Sequence, residues 1–232
     1  MAAILLFLAG LAAVAGWWLA QQRLAQKPWL EQGVIDDPAR NAASPLPAAK
    51  IGLAVFLAVA GALFAMFVSA YFMRHHMGDW HSAPPPGLLW FNTGLLVVAS
   101  LAFELAKGAA NRDATDSTRA ALLAAAAASL LFLAGQVVAW RQMAMAGFLP
   151  AASAAAAFFY LLTAVHGAHL VGGLVALGRA IARFWRGGDR EQVRLSVELC
   201  TLYWHFLLVV WIVLFGLLLL TSSEGPHGPS HA

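Results

Sequence analysis

Residues 199–221 read LCTLYWHFLLVVWIVLFGLLLLT, a run of 23 positions without one Asp, Glu, Lys or Arg. At about 1.5 Å of rise per residue, a helix of that length crosses the roughly 30 Å hydrocarbon layer of a bilayer. The same criterion finds five more segments, at about residues 3–20, 51–72, 87–106, 120–140 and 151–178. Composition agrees: hydrophobic residues make up 61% of the chain and charged residues 11%, against roughly 45–50% and about 25% in ordinary globular proteins. A 24.6 kDa globule has too little interior to hide so much apolar surface. The expected fold is therefore all-α, a polytopic membrane helix bundle of six transmembrane helices.

The segments set the domain boundaries. Residues 1–20 form an N-terminal transmembrane helix, 21–49 a cytoplasmic loop carrying Pro28, Pro38, Pro45 and Pro47, 50–223 a five-helix core, and 224–232 an outward-facing disordered tail. The first segment lacks a basic leading region and a small-residue cleavage site, so it reads as a retained helix, not a signal peptide. Pro150 is expected to open the fifth segment, and Pro84-Pro85-Pro86 to stiffen the approach to the third. With six spans, the loops after the first, third and fifth segments share a side. That side holds twelve of the fourteen Lys and Arg residues, leaving only Arg74 and Arg141 opposite. The bias orients the basic side inward and both termini outward. The same bias explains the pI of about 9.4 without invoking nucleic acid as a partner. A single Cys200 excludes a disulfide framework and any cysteine-based zinc or iron–sulfur site.

Polar groups inside the spans are costly and so stand out as functional candidates. They are Glu104, Gln136, His166, His169, Glu198 and His205. No span has Lys or Arg at its centre, and no string of carboxylates appears, which counts against an ion pump, a transporter or a channel. His166 and His169 lie about one turn apart on one face. His205 has Glu198 seven residues earlier on its own face, as its expected acceptor. These histidines read either as haem or metal ligands or as a hydrogen-bonded network between helices. Adjacent turns of one helix cannot supply both axial ligands of a planar haem. Glu104 is expected to pair with Lys107 at the inner end of its helix, or to reach the histidines or a lipid headgroup. Gln136 is expected to bond across helices. Trp17, Trp18, Trp80, Trp90, Trp140 and Trp185 read as an interfacial aromatic belt. His75, His76, Asp79 and His81 read as an exposed loop or a metal site. The ridges Ala164, Ala168, Gly172, Ala176 and Ala54, Ala58, Ala62 suit close helix packing within the bundle or docking onto a partner. No P-loop, dinucleotide fingerprint or nucleophile arrangement is present.

Local motifs carry the reading further. His166-Gly167-Ala168-His169-Leu170, followed by Gly172-Gly173-Leu174, resembles the HGxHxxxG element of subunit III of haem–copper oxidases. Glu198-Leu199, Leu202-Tyr203-Trp204-His205-Phe206, Val210-Trp211 and Leu214-Phe215 look like that family's last helix. Ala70-Tyr71-Phe72, Asn92-Thr93 with Glu104, and Gln136 with Trp140 fall at matching places. The resemblance covers residues 50–223. It implies a non-catalytic core subunit in a bacterial plasma membrane, beside the haem-bearing subunit I and subunit II. Haems and copper would sit in those partners and none in this chain, which would instead hold phospholipid in a cleft. The complex would reduce oxygen to water while pumping protons, with cytochrome c or quinol as donor. An accessory subunit of a nitric oxide reductase is the related alternative. Ala60, Ala139 and Leu208 stand where the family pattern has acids, so roles resting on those carboxylates are not expected here.

Overall fold

The computed structural model describes residues 48–75, 77, 80, 85–185 and 190–223. They form five helices: α1 (Ala48–His75), α2 (Leu88–Asn111), α3 (Thr115–Met145), α4 (Ala154–Trp185) and α5 (Arg190–Ser223). Each is long and apolar enough to cross a membrane. They correspond to the second through sixth sequence segments. The first segment, the loop at 21–47, the tail, and His76, Asp79 and His81 lie outside the described residues. The chain divides into a unit ending at Phe56 and a second running Leu57–Ala232. Of the first, the opening turns of α1 are described, with Ile51, Val55 and Phe56 exposed. All that follows concerns the second.

The helices outrun the apolar segments that announce them. α3 begins at Thr115, five residues before its apolar run, because polar groups can complete a helical turn. Asp116 stands in that first turn, where a negative charge suits the helix dipole, and the Thr118 hydroxyl donates to the Ala114 carbonyl at 3.0 Å. Pro150 does not open α4, contrary to expectation. It sits in the preceding turn, and Ser153 caps the helix instead, its Oγ accepting from the Ala156 N–H at 3.2 Å. Both α2 and α3 end in the same left-handed cap. After α3, Gly147 takes φ +86°, while the Phe148 N–H bonds the Met143 carbonyl and the Gly147 N–H bonds that of Ala144. After α2, Asp113 takes φ +56°, a conformation that Asp tolerates better than most residues, and the Ala114 and Asp113 N–H groups bond the Ala109 and Ala110 carbonyls.

Helix α2 packs on α3 and α5, and α4 packs on the same two, so four helices close a ring. Small residues allow the close approach. Ala99, Ala106 and Ala109 on α2 and Ala125, Ala128 and Ala139 on α3 are all buried. The inner stripe of α4 is Leu162, His166, Leu170, Gly173 and Leu177. The small-residue ridge therefore points the other way: Ala164, Ala168, Gly172 and Ala176 are exposed on this chain. Ala58 and Ala62 on α1 are exposed too, so these positions do not pack among the described helices. α1 presents Phe64 to α4, with its ring 5.2 Å from that of His169. Tyr71 meets the Phe158 ring of α4 and the Thr221 hydroxyl of α5 at 2.5 Å.

Candidate functional site

Lipid offers no hydrogen bonds, so a buried indole N–H must find an acceptor inside the protein. Among the described residues, three indoles find one in the same way. Trp140 donates to Thr163 at 2.9 Å, Trp204 to Ser129 at 2.8 Å, and Trp211 to Thr93 at 2.9 Å. Each of those hydroxyls gives its own hydrogen to the carbonyl four residues back: Phe159, Ala125 and Leu89 respectively. The oxygen lone pairs are then left to accept, and two helices are joined. Tyr71 and Thr221 follow the pattern, with Thr221 donating to Leu217. Trp140 is thus a cross-helix tie and not only part of an aromatic belt. The sequence did hold a signal for these ties: isolated Ser or Thr residues within otherwise apolar spans that also carry Trp.

The candidate residues gather in two places. The first is the seam between the antiparallel α2 and α5. Arg194 opens it, donating through Nε to the Ala110 carbonyl at 3.1 Å and through Nη2 to Asp113 at 2.9 Å. Thr201 reaches the Phe103 carbonyl at 3.3 Å. His205 follows, with Nε2 3.7 Å from Glu104 Oε1 and Nδ1 2.8 Å from the Thr201 carbonyl. Glu104 also lies 3.8 Å from Lys107, as its spacing suggested. The acid is not buried: its side chain is 49% exposed, and those of Lys107 and His205 are 41% and 39%. Glu198 is exposed and is not the group that His205 meets. Two helical turns separate them by about 10 Å, whereas Glu104 stands level with His205 on the neighbouring helix.

The second place is the interior of the ring. His166 is fully buried. Its ring lies 5.2 Å from Trp211 of α5, 5.8 Å from Phe132 of α3 and 6.3 Å from Phe64 of α1. His169, one turn on, is half-buried, with Nδ1 2.8 Å from the Val165 carbonyl, and the His169 carbonyl accepts from the Tyr203 hydroxyl at 2.8 Å. Gln136 is buried, but neither atom of its amide has a hydrogen-bond partner, so the expected bond across helices is not formed by a protein group. His75 stands apart at the C-terminal end of α1, its ring 5.1 Å from Trp80 and stacked on Tyr71. Among the described residues, no three His, Cys, Asp or Glu side chains come together as a metal-holding group. Ala60 and Ala139, where the resemblance would place acids, are both buried and bring no carboxylate to the core.

Comparison with known proteins agrees with the resemblance in the motifs. The family model described as cytochrome c oxidase subunit III matches residues 47–222. The chain is 32% identical over 178 residues to cytochrome c oxidase subunit 3 of Synechocystis sp., covering 73% of this chain and 74% of that one. It is 30% identical over 176 residues to the protein of that name from Thermostichus vulcanus, covering 72% and 85%. It is also 27% identical over 180 residues to the cytochrome bo(3) ubiquinol oxidase subunit 3 of Pseudomonas aeruginosa, covering 74% and 84%.

Proposed function

The chain belongs to the cytochrome c oxidase subunit III family, and from that premise we propose that it is a core subunit of a respiratory haem–copper oxidase that stabilises subunit I without carrying electrons. The relatives are oxidase subunits, which favours the oxidase over a nitric oxide reductase or a transporter. Their names include both cytochrome c and quinol oxidases, so the choice of donor lies with other subunits. In this reading the assembled complex reduces oxygen to water and pumps protons across a bacterial plasma membrane, with haems and copper in subunits I and II. The present chain holds phospholipid near α1 and α2, where Ala60 replaces an acid and favours acyl chains over polar groups.

The observation that carries the non-catalytic role is what the histidines are doing. His166 is walled in by three aromatic rings from three other helices. His205 spends one ring nitrogen on Thr201 and turns the other to Glu104. These are the contacts of groups that fasten helices together. The test is purification of the complex through this chain, with haem, copper and phospholipid measured in what accompanies it. Replacing His205 with Ala should lower retention of the chain by about fivefold or less, since a half-exposed His–Glu contact is worth roughly 0–1 kcal/mol. Haem per subunit I and the haem absorption bands should not move. Loss of one haem, or a shifted band with the chain still bound, would show that His205 is a ligand.

The orientation follows from the twelve-to-two division of basic residues. A phosphatase fused after Ser230 should be active, and a fluorescent protein inserted within residues 186–190 should glow from the cytoplasmic side. Both reporters responding from one side would overturn the topology.

A further inference from the structure

Three polar side chains in the ring interior have no partner. Asn92, Gln136 and His166 are 0%, 2% and 0% exposed, and both amide atoms of Asn92, both of Gln136 and both ring nitrogens of His166 lack a hydrogen bond within the protein. Their neighbours make the contrast clear. The indoles of Trp140, Trp204 and Trp211 and the hydroxyls of Thr93, Ser129 and Thr163 are all bonded.

The helix registers bring the three to one level. Asn92 lies directly over Gly135, where any added Cβ would collide with its carboxamide; Gln136 is the next residue. α3 and α4 run antiparallel, with Trp140 bonded to Thr163 and Leu133 3.6 Å from the Cβ position of Gly167. Gln136 falls between those two contacts, and so faces the turn of α4 that carries His166. Trp211 closes the layer: its ring lies beside His166 while its Nε1 bonds Thr93, the neighbour of Asn92. Four helices thus bring three unpartnered polar groups together inside an aromatic wall.

The chemistry narrows what could meet them. Two carboxamides and an imidazole offer donors and acceptors in a mixed set. A metal ion would leave the amide N–H groups unanswered, and an anion the carbonyl oxygens. A small neutral molecule that both donates and accepts answers all of them, and water in such sites makes two to four hydrogen bonds. We propose that Asn92, Gln136 and His166 together bind internal water in the core of this chain. Gly135 makes room for the Asn92 carboxamide, and the buried asparagine of α2 and the buried glutamine of α3 become intelligible as water ligands in helices whose other buried residues are mainly Ala, Leu and Phe.

Hydroxyl-radical footprinting tests this on the intact complex, because radiolysis splits bound water in place and oxidises the side chains beside it. Trp211 and Trp204 are the matched pair, both buried to within 1%, and only Trp211 borders the proposed site. Trp211 should be oxidised at least fivefold faster than Trp204, and Asn92→Leu or Gln136→Leu should bring it down to the Trp204 rate. Equal rates for the two tryptophans in the wild-type complex would overturn the proposal. So would fast oxidation of Trp211 that survives both substitutions, since the water would then be held by other groups. If neither variant assembles, the wild-type ratio decides alone.

Discussion

Substituting leucine for Gly173 should strip this chain from the purified complex. A Cβ on Gly173 would lie 2.5 Å from a ring carbon of Tyr203 and 3.0 Å from two of Trp204. Neither ring can yield cheaply. The Tyr203 hydroxyl is tied to the His169 carbonyl on the same helix as the glycine, and Trp204 is 1% exposed and bonded to Ser129. Even alanine must therefore push α4 away from α5, at a cost of about 1–3 kcal/mol for overpacking, and leucine should exceed that range. Gly172 provides the control, because nothing lies within 4 Å of its Cβ position and alanine there should be neutral. The measurement is the amount of this chain per subunit I after detergent purification, with thermal loss of the chain as a second readout. Gly173→Leu complexes that keep the chain as well as Gly172→Ala complexes would contradict the packing argument.

That glycine shows where sequence reading stops. Its place in a Gly172-Gly173 pair was legible, but not which of the two carries the contact. The five membrane helices were legible because each must present about twenty apolar residues, and periodicity then gives a face. It does not say what that face meets. Helical phase matches His205 to Glu198, yet phase aligns residues along one helix, and two turns put them about 10 Å apart. The true neighbour, Glu104, is set by the antiparallel register of α2 and α5, which Arg194, Thr201 and Trp211 fix together. The Trp-to-hydroxyl ties depend on the same register: isolated Ser and Thr in Trp-bearing spans mark the candidates, and only the pairing across helices says which of them meet. The apolar run stops five residues short of each end of α3 and begins nine residues after the start of α5, because hydrophobicity marks the bilayer, whereas hydrogen bonding and capping mark the helix.

Trp204→Ala should be the most destabilising single truncation in the core, and the reason can be dissected. The indole packs at 4.5 Å against Phe103 and 5.8 Å from Tyr203, and its N–H bonds Ser129. Large-to-alanine changes at buried aromatics cost about 3–5 kcal/mol through lost contacts and the cavity left behind. Hydrogen bonds between membrane helices average about 0.6 kcal/mol, with a maximum near 1.7. Packing, not the hydrogen bond, should therefore dominate. Trp204→Phe, which keeps much of the ring volume and removes the donor, should lose well under half of what Trp204→Ala loses. The bond itself is read from a cycle with Ser129→Ala. In the wild-type background that change strands a buried indole N–H. In the Trp204→Phe background there is no donor to strand, so the same change should cost less by about 0.6–1.7 kcal/mol. Chemical or thermal unfolding of the reconstituted complex, scored by loss of this chain, gives all four corners. A Trp204→Phe variant as unstable as Trp204→Ala would mean that the tie to Ser129, rather than the fit of the ring against Phe103 and Gly173, holds α5 in the bundle.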